Sequence, residues 1–162
     1  MKIHLQARNQ EGLLQKIEEQ IQVLKIFRKV KFYKIPQLKN KELNYGNKTI
    51  GKDVTDFWLD ESLRITAFEE IRFLKQLQAN NLAFKQEDIN LLKELMIDEK
   101  SENYVVRAKT GWEGKYGWYV GYVETKNDVW FFALNIDTKT KEDLAKRKAI
   151  TLEALKTKGI ID

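Results

Sequence analysis

Between Gly12 and Val30 the apolar residues Leu13, Leu14, Ile17, Ile21, Leu24 and Phe27 return every three or four positions, the spacing that lines one face of a helix. Pro36, which has no amide hydrogen to give, bounds that stretch. The turn formers Asn44, Gly46, Asn47 and Gly51 then predict a loop leading to the apolar cluster Phe57, Trp58 and Leu59. Thr66 and Glu69 have the spacing of a capping box, which predicts a helix carrying Phe68, Ile71, Leu74 and Leu77 inward and stopping at Asn80-Asn81. A further helix is expected over Gln86 to Met96, with Ile89, Leu92 and Leu95 inward.

Past Ser101 the apolar period drops from helical to two. Tyr104 to Lys109, Gly117 to Thr125 and Val129 to Asn135, rich in aromatic and β-branched residues, predict three strands. Lys126-Asn127-Asp128 is short enough for a hairpin, so the last two strands should pair antiparallel. After Thr140 the helical pattern returns, with Leu144, Ala145, Ala149, Leu152 and Leu155 on one face and Gly159 at the stop. A helical segment, an antiparallel β-meander and a closing C-terminal helix over one sheet face make an α+β class. Residues 1–40 form a divergent helical segment and residues 41–162 the remainder of what is expected to be a single domain.

Composition narrows this picture. The chain has 162 residues, 43% of them hydrophobic, enough for one core and short for two. The 29 basic residues outnumber the 24 acidic ones, for a net charge of +5, but the two signs are interleaved, so a nucleic-acid partner is not expected. The absence of cysteine excludes a disulfide, a thiolate metal site and a cysteine nucleophile, and the single His4 excludes a histidine metal cluster; no cofactor is expected. No apolar run reaches membrane-spanning length, so no membrane partner is expected, and no export signal is visible; expressed as written, the product is expected in the cytoplasm, although its localisation is left open.

Two short motifs carry candidate chemistry. Lys109-Thr110-Gly111 closes a predicted strand ahead of Trp112 and a turn; a cation and a hydroxyl on an edge strand can hold a carboxylate while the strand's backbone bonds an amide. Alone it could equally be a strand running into a turn, and Tyr45-Gly46-Asn47, upstream, could be an ordinary loop turn. Together the two resemble the K-T-G and Y-G-N motifs of the class D β-lactamases, or oxacillinases. The resemblance extends through Leu43 to Ile71, including Phe57-Trp58-Leu59, through Tyr116 to Glu124, through Phe131 to Asn135, and through Arg147 to the closing Gly159-Ile160-Ile161. It therefore spans residues 41 to 161 in order, the C-terminal part of a penicillin-binding, transpeptidase-like fold.

That resemblance implies that Lys109, Thr110 and Gly111 line a substrate strand flanked by Trp112, that Tyr45 and Asn47 belong to the substrate site, and that Arg147 pairs with the β-lactam carboxylate. It also places Trp58 beside the modified active-site lysine of the family; without that lysine, Trp58 reads as a core residue. Arg147 could otherwise belong to a solvated Lys146–Lys148 cluster.

The attacking group is not found. Acyl transfer to serine needs S-x-x-K, which puts the lysine one helical turn from the hydroxyl, yet Ser62 is followed at that spacing by Ile65 and Ser101 by Tyr104. The best position for the family's S-x-V motif reads Ile21-Gln22-Val23, and the T-x-x-K of Thr138 with Lys141 is better explained by a turn or helix start. The expectation is a truncated or degenerate class D serine β-lactamase, inactive alone. The alternatives are a non-catalytic β-lactam- or anion-binding module, a self-associating module, or a penicillin sensor domain. The partner is then a β-lactam or related carboxylate, and a sheet layer missing ahead of residue 41 would favour a homo-oligomer.

Overall fold

The computed structural model describes residues 45–49, 63–112 and 114–162, all within one compact unit, Pro36–Asp162. The helix expected over residues 13–30, Trp58 and the Ile21-Gln22-Val23 position lie outside the described residues. Helix α1, Ala67–Gln78, starts at the anticipated capping box: Thr66 Oγ1 accepts from the Glu69 amide at 3.2 Å, and Glu69 Oε2 accepts from the Thr66 amide at 2.8 Å. Helix α2, Gln86–Leu95, follows. Four antiparallel strands come next, β1 Ile97–Lys100, β2 Tyr104–Trp112, β3 Tyr116–Thr125 and β4 Val129–Asp137, in the order β1-β2-β3-β4. A 3-10 turn, Lys141–Asp143, leads into α3, Leu144–Thr157.

Alternation along β3 builds the core on both sides. Val120 and Tyr122 pack with Leu74, Leu77, Ile89 and Met96 beneath α1 and α2. Val123 packs instead with Val106, Leu155 and Ile161 beneath α3. Successive strand side chains point to opposite faces, so one strand can seal two layers. Each such large aliphatic side chain contributes roughly 1.5–3 kcal/mol relative to exposure. Gly121 lets β2 and β3 close: a Cβ there would stand 2.1 Å from the Arg107 carbonyl oxygen, and backbone cannot yield.

The structure corrects several expectations. β1 was not anticipated, because its Ile97-Asp98-Glu99-Lys100 shows no apolar alternation. It is held instead by pairing with β2, from Ile97↔Arg107 to Lys100↔Val105, and by Asp98, which accepts from the Tyr119 hydroxyl at 2.7 Å and pairs with Lys148 at 2.8 Å. Phe68, expected inward, is 82% exposed; α1 buries Glu70, Leu74 and Leu77. On α3 the exposed Ala145 and Ala149 give way to Arg147, Thr151 and Leu155, four residues apart, as the buried face. Alanine has little area to bury, whereas Arg147 finds carbonyl partners at the sheet end. Thr138 is a buried residue just past β4, while the start of the final helical segment belongs to Thr140, boxed with Asp143.

K-T-G lies at the end of β2 as expected, but β2 runs past Lys109 to Trp112 because Lys109↔Val120, Thr110↔Tyr119, Gly111↔Trp118 and Trp112↔Gly117 all pair with β3. β2 is an inner strand over its first half only. The β1 pairing ends at Arg107, followed by one bond from the Ala108 amide to the Met96 carbonyl at 2.7 Å. From Lys109 onward the other edge has no strand partner among the described residues.

Candidate functional site

The Tyr45-Gly46-Asn47 loop is built by backbone chemistry. Gly46 has φ +52, and a Cβ on it would stand 2.3 Å from the Arg64 carbonyl oxygen, so only glycine fits that close approach. The Asn47 amide donates to the same carbonyl at 2.8 Å, and Asn47 Oδ1 accepts from the amides of Arg64 at 3.1 Å and Thr49 at 3.3 Å. The loop is thereby stitched to the segment that enters α1. Tyr45 sets its ring edge-on to Phe73 at 5.0 Å and donates its hydroxyl to Glu70 Oε2 at 2.9 Å. Burial raises the Glu70 carboxyl above the usual range, partly opposed by that hydrogen bond. Burial first, and the Glu70 charge second, push the Tyr45 hydroxyl well above its ordinary value, which makes it a poor nucleophile.

Arg147 reaches the K-T-G end of β2 from α3. Its Nη1 donates to the Gly111 carbonyl at 2.7 Å and to that of Trp118 at 3.4 Å, and its Nε to that of Leu144 at 2.8 Å. Gly117 makes the passage: a Cβ there would stand 2.8 Å from Arg147 Cδ and 2.9 Å from Thr138 Cγ2. With 9% of its surface exposed, Arg147 is not part of a solvated cluster, and burial lowers its pKa. Lys109 extends from the strand's open edge and donates to the Thr110 carbonyl. By surface area its side chain is open to water, yet protein atoms crowd it. That crowding, and then the Arg147 charge, pull its pKa below the ordinary lysine value. Two cations so close make the strand end a place where an anion relieves repulsion.

Tyr45, Glu70 and the run Lys109 to Trp112 line one cleft of about 700 Å³. The structure thus brings Tyr45 of one motif to the same cleft as Lys109, Thr110 and Gly111 of the other and the adjoining Trp112. Asn47 and Arg147 stand outside its lining, both bonded to backbone; Trp58 lies outside the described residues. Glu70 and Gly117 belong to the site's framework and were not singled out from sequence, and Thr138, read there only as a turn or helix start, belongs to it as well. Glu70 reads as one of two acids in a first helical turn, and Gly117 as a strand glycine. Among the described residues no three His, Cys, Asp or Glu side chains converge to hold a metal, and no helix is long and apolar enough to cross a membrane. The arrangement can hold an anion beside an open strand edge.

The family model described as penicillin binding protein transpeptidase domain matches residues 19–156. Among curated proteins, the chain is 44% identical over 122 residues to Beta-lactamase OXA-48 of Klebsiella pneumoniae, covering 73% of this chain and 46% of the relative. It is 47% identical over 118 residues to Beta-lactamase OXA-2 of Salmonella typhimurium, covering 72% and 43%. Among solved structures, it resembles the class D β-lactamase YbXI from Nostoc at TM-score 0.73 and 40% identity, covering 76% of this chain and 54% of that one. It also resembles FUS-1 (OXA-85), a class D β-lactamase from Fusobacterium nucleatum subsp. polymorphum, at TM-score 0.74 and 36% identity, covering 78% and 54%. The chain spans about half the length of the relatives it matches.

Proposed function

The chain belongs to the class D β-lactamase family, within the penicillin-binding transpeptidase domains, and from that premise we propose that its cleft binds a β-lactam or related carboxylate without a covalent step. It keeps the ligand-holding strand of a serine β-lactamase and, over the residues of this sequence, carries no S-x-x-K pair. The observation that carries this reading is the strand end itself: Lys109 on an open edge, with Arg147 bonded to the Gly111 carbonyl at 2.7 Å behind it. Arg147 adds its charge behind that strand end, so a carboxylate held by Lys109 and Thr110 also meets a second cation. The backbone of that edge, which has no strand partner among the described residues, suits the amide of a penicillin side chain. Asn47 acts on this site by fixing the loop that presents Tyr45.

Calorimetry with benzylpenicillin, intact-mass measurement of the same mixture and a chromogenic cephalosporin assay test the proposal together. Saturable binding with no mass gain and no hydrolysis is the expected result. A covalent adduct, or turnover that co-purifies with the chain, would show that an attacking group is present after all.

A further inference from the structure

Thr138 stands where three parts of the site meet, and the functional reading gives it no role. It follows β4 directly, is 8% exposed, and uses both sides of its hydroxyl. Oγ1 accepts from the Trp112 indole Nε1 at 3.0 Å and donates to the Lys115 carbonyl at 2.8 Å. The Thr138 amide donates to that same carbonyl at 2.7 Å. A hydroxyl has a single proton, so giving it to Lys115 turns a lone pair towards the indole and fixes the direction of the whole relay. The Thr138 methyl occupies the space beside Gly117 that the Arg147 stem also uses.

Trp112 is 40% exposed and lines the cleft, so packing alone leaves much of its ring free to change rotamer. The indole bond to Thr138 is the one side-chain hydrogen bond of Trp112 among the described residues. We propose that Thr138 is a positioning residue that pins Trp112 as a fixed wall of the cleft and so limits the bulk a carboxylate ligand can carry beside the K-T-G strand. The second half of this rests on the functional reading above; the first half does not.

The test compares the parent with Thr138→Val, which keeps the shape and removes the hydroxyl, and Thr138→Ser, which keeps the hydroxyl. Lys115 retains the Thr138 amide as a donor and the exposed indole can turn to water, so Thr138→Val is expected to fold. Should the valine prove too tight against the carbonyl, Thr138→Ala serves the same comparison. The first readout is solvent exchange of the Trp112 indole proton in ligand-free protein, its resonance identified by its loss in Trp112→Phe. One lost hydrogen bond should speed that exchange about tenfold in Thr138→Val and leave Thr138→Ser near the parent. Unchanged exchange in Thr138→Val overturns the proposal.

The second readout is the ratio of dissociation constants for benzylpenicillin and for 6-aminopenicillanic acid, which lacks the bulky acyl group. That ratio should move several-fold in Thr138→Val and be restored by Thr138→Ser. An equal change for both ligands refutes the limit on bulk. If the parent binds neither compound, the functional reading and the limit on bulk fail together, and indole exchange still decides whether Thr138 pins Trp112.

Discussion

Glu70 is a carboxyl with 8% of its surface exposed whose one bonded partner among the described residues is a neutral phenol. Burial raises its folded pKa, and the Tyr45 bond offsets only part of that. The sign follows from linkage. The folded state holds the proton more tightly than the unfolded chain, so stability is fullest below the unfolded value of about 4.3 and falls as pH rises towards the raised folded value. Glu70→Gln keeps an oxygen for the Tyr45 hydroxyl and removes the buried charge. Urea unfolding at pH 7 should show a gain on the order of 1 kcal/mol, shrinking towards pH 4; a loss at pH 7 would mean that the charge itself holds the loop. In the sequence Glu70 is one of two adjacent acids suited to a helix N-terminus, and nothing local marks which of them turns inward.

At the level of elements, legibility followed the range of the interaction. The α1 start was readable because both halves of its capping box sit within four residues, Thr66 to Glu69. Thr66→Ala should cost about 1 kcal/mol in chemical denaturation, and a variant as stable as the parent would show that the box is idle. The β3–β4 hairpin was readable for the same reason: its turn is closed locally, Thr125 and Asp128 bonding each other at 2.9–3.0 Å. β1 was not, since its four residues owe their strand to pairing with β2 and to Asp98 partners on β3 and α3. The inward face of α3 was misread because an arginine and a threonine, polar by type, are buried by carbonyls it meets only after docking, as with Arg147 on Gly111, or by its own backbone, as with Thr151 on Arg147 at 3.0 Å.

Across the whole molecule, Arg147 and Lys109 separate architecture from binding. Arg147 links α3 to the ends of β2 and β3 through two carbonyls, those of Gly111 and Trp118, so Arg147→Ala removes these bonds and a buried stem and should cost about 2–3 kcal/mol as well as penicillin affinity. Lys109 is open to water, so Lys109→Ala should stay within about 0.5 kcal/mol of the parent while losing affinity. Urea titration and calorimetry on both variants check this, and equal stability losses would remove the distinction. The sequence by itself determined the α+β order, most element boundaries, the two motifs and the family resemblance, because periodicity, capping and turn chemistry act over a few residues and motifs are read as strings. Only the tertiary structure decided that β1 covers the first half of β2 and leaves the K-T-G end open, that Gly117 opens the way for Arg147, and that Thr138 meets Trp112 across 26 positions. Those are distances between residues far apart in the chain, and packing of the two helical layers on the sheet sets them.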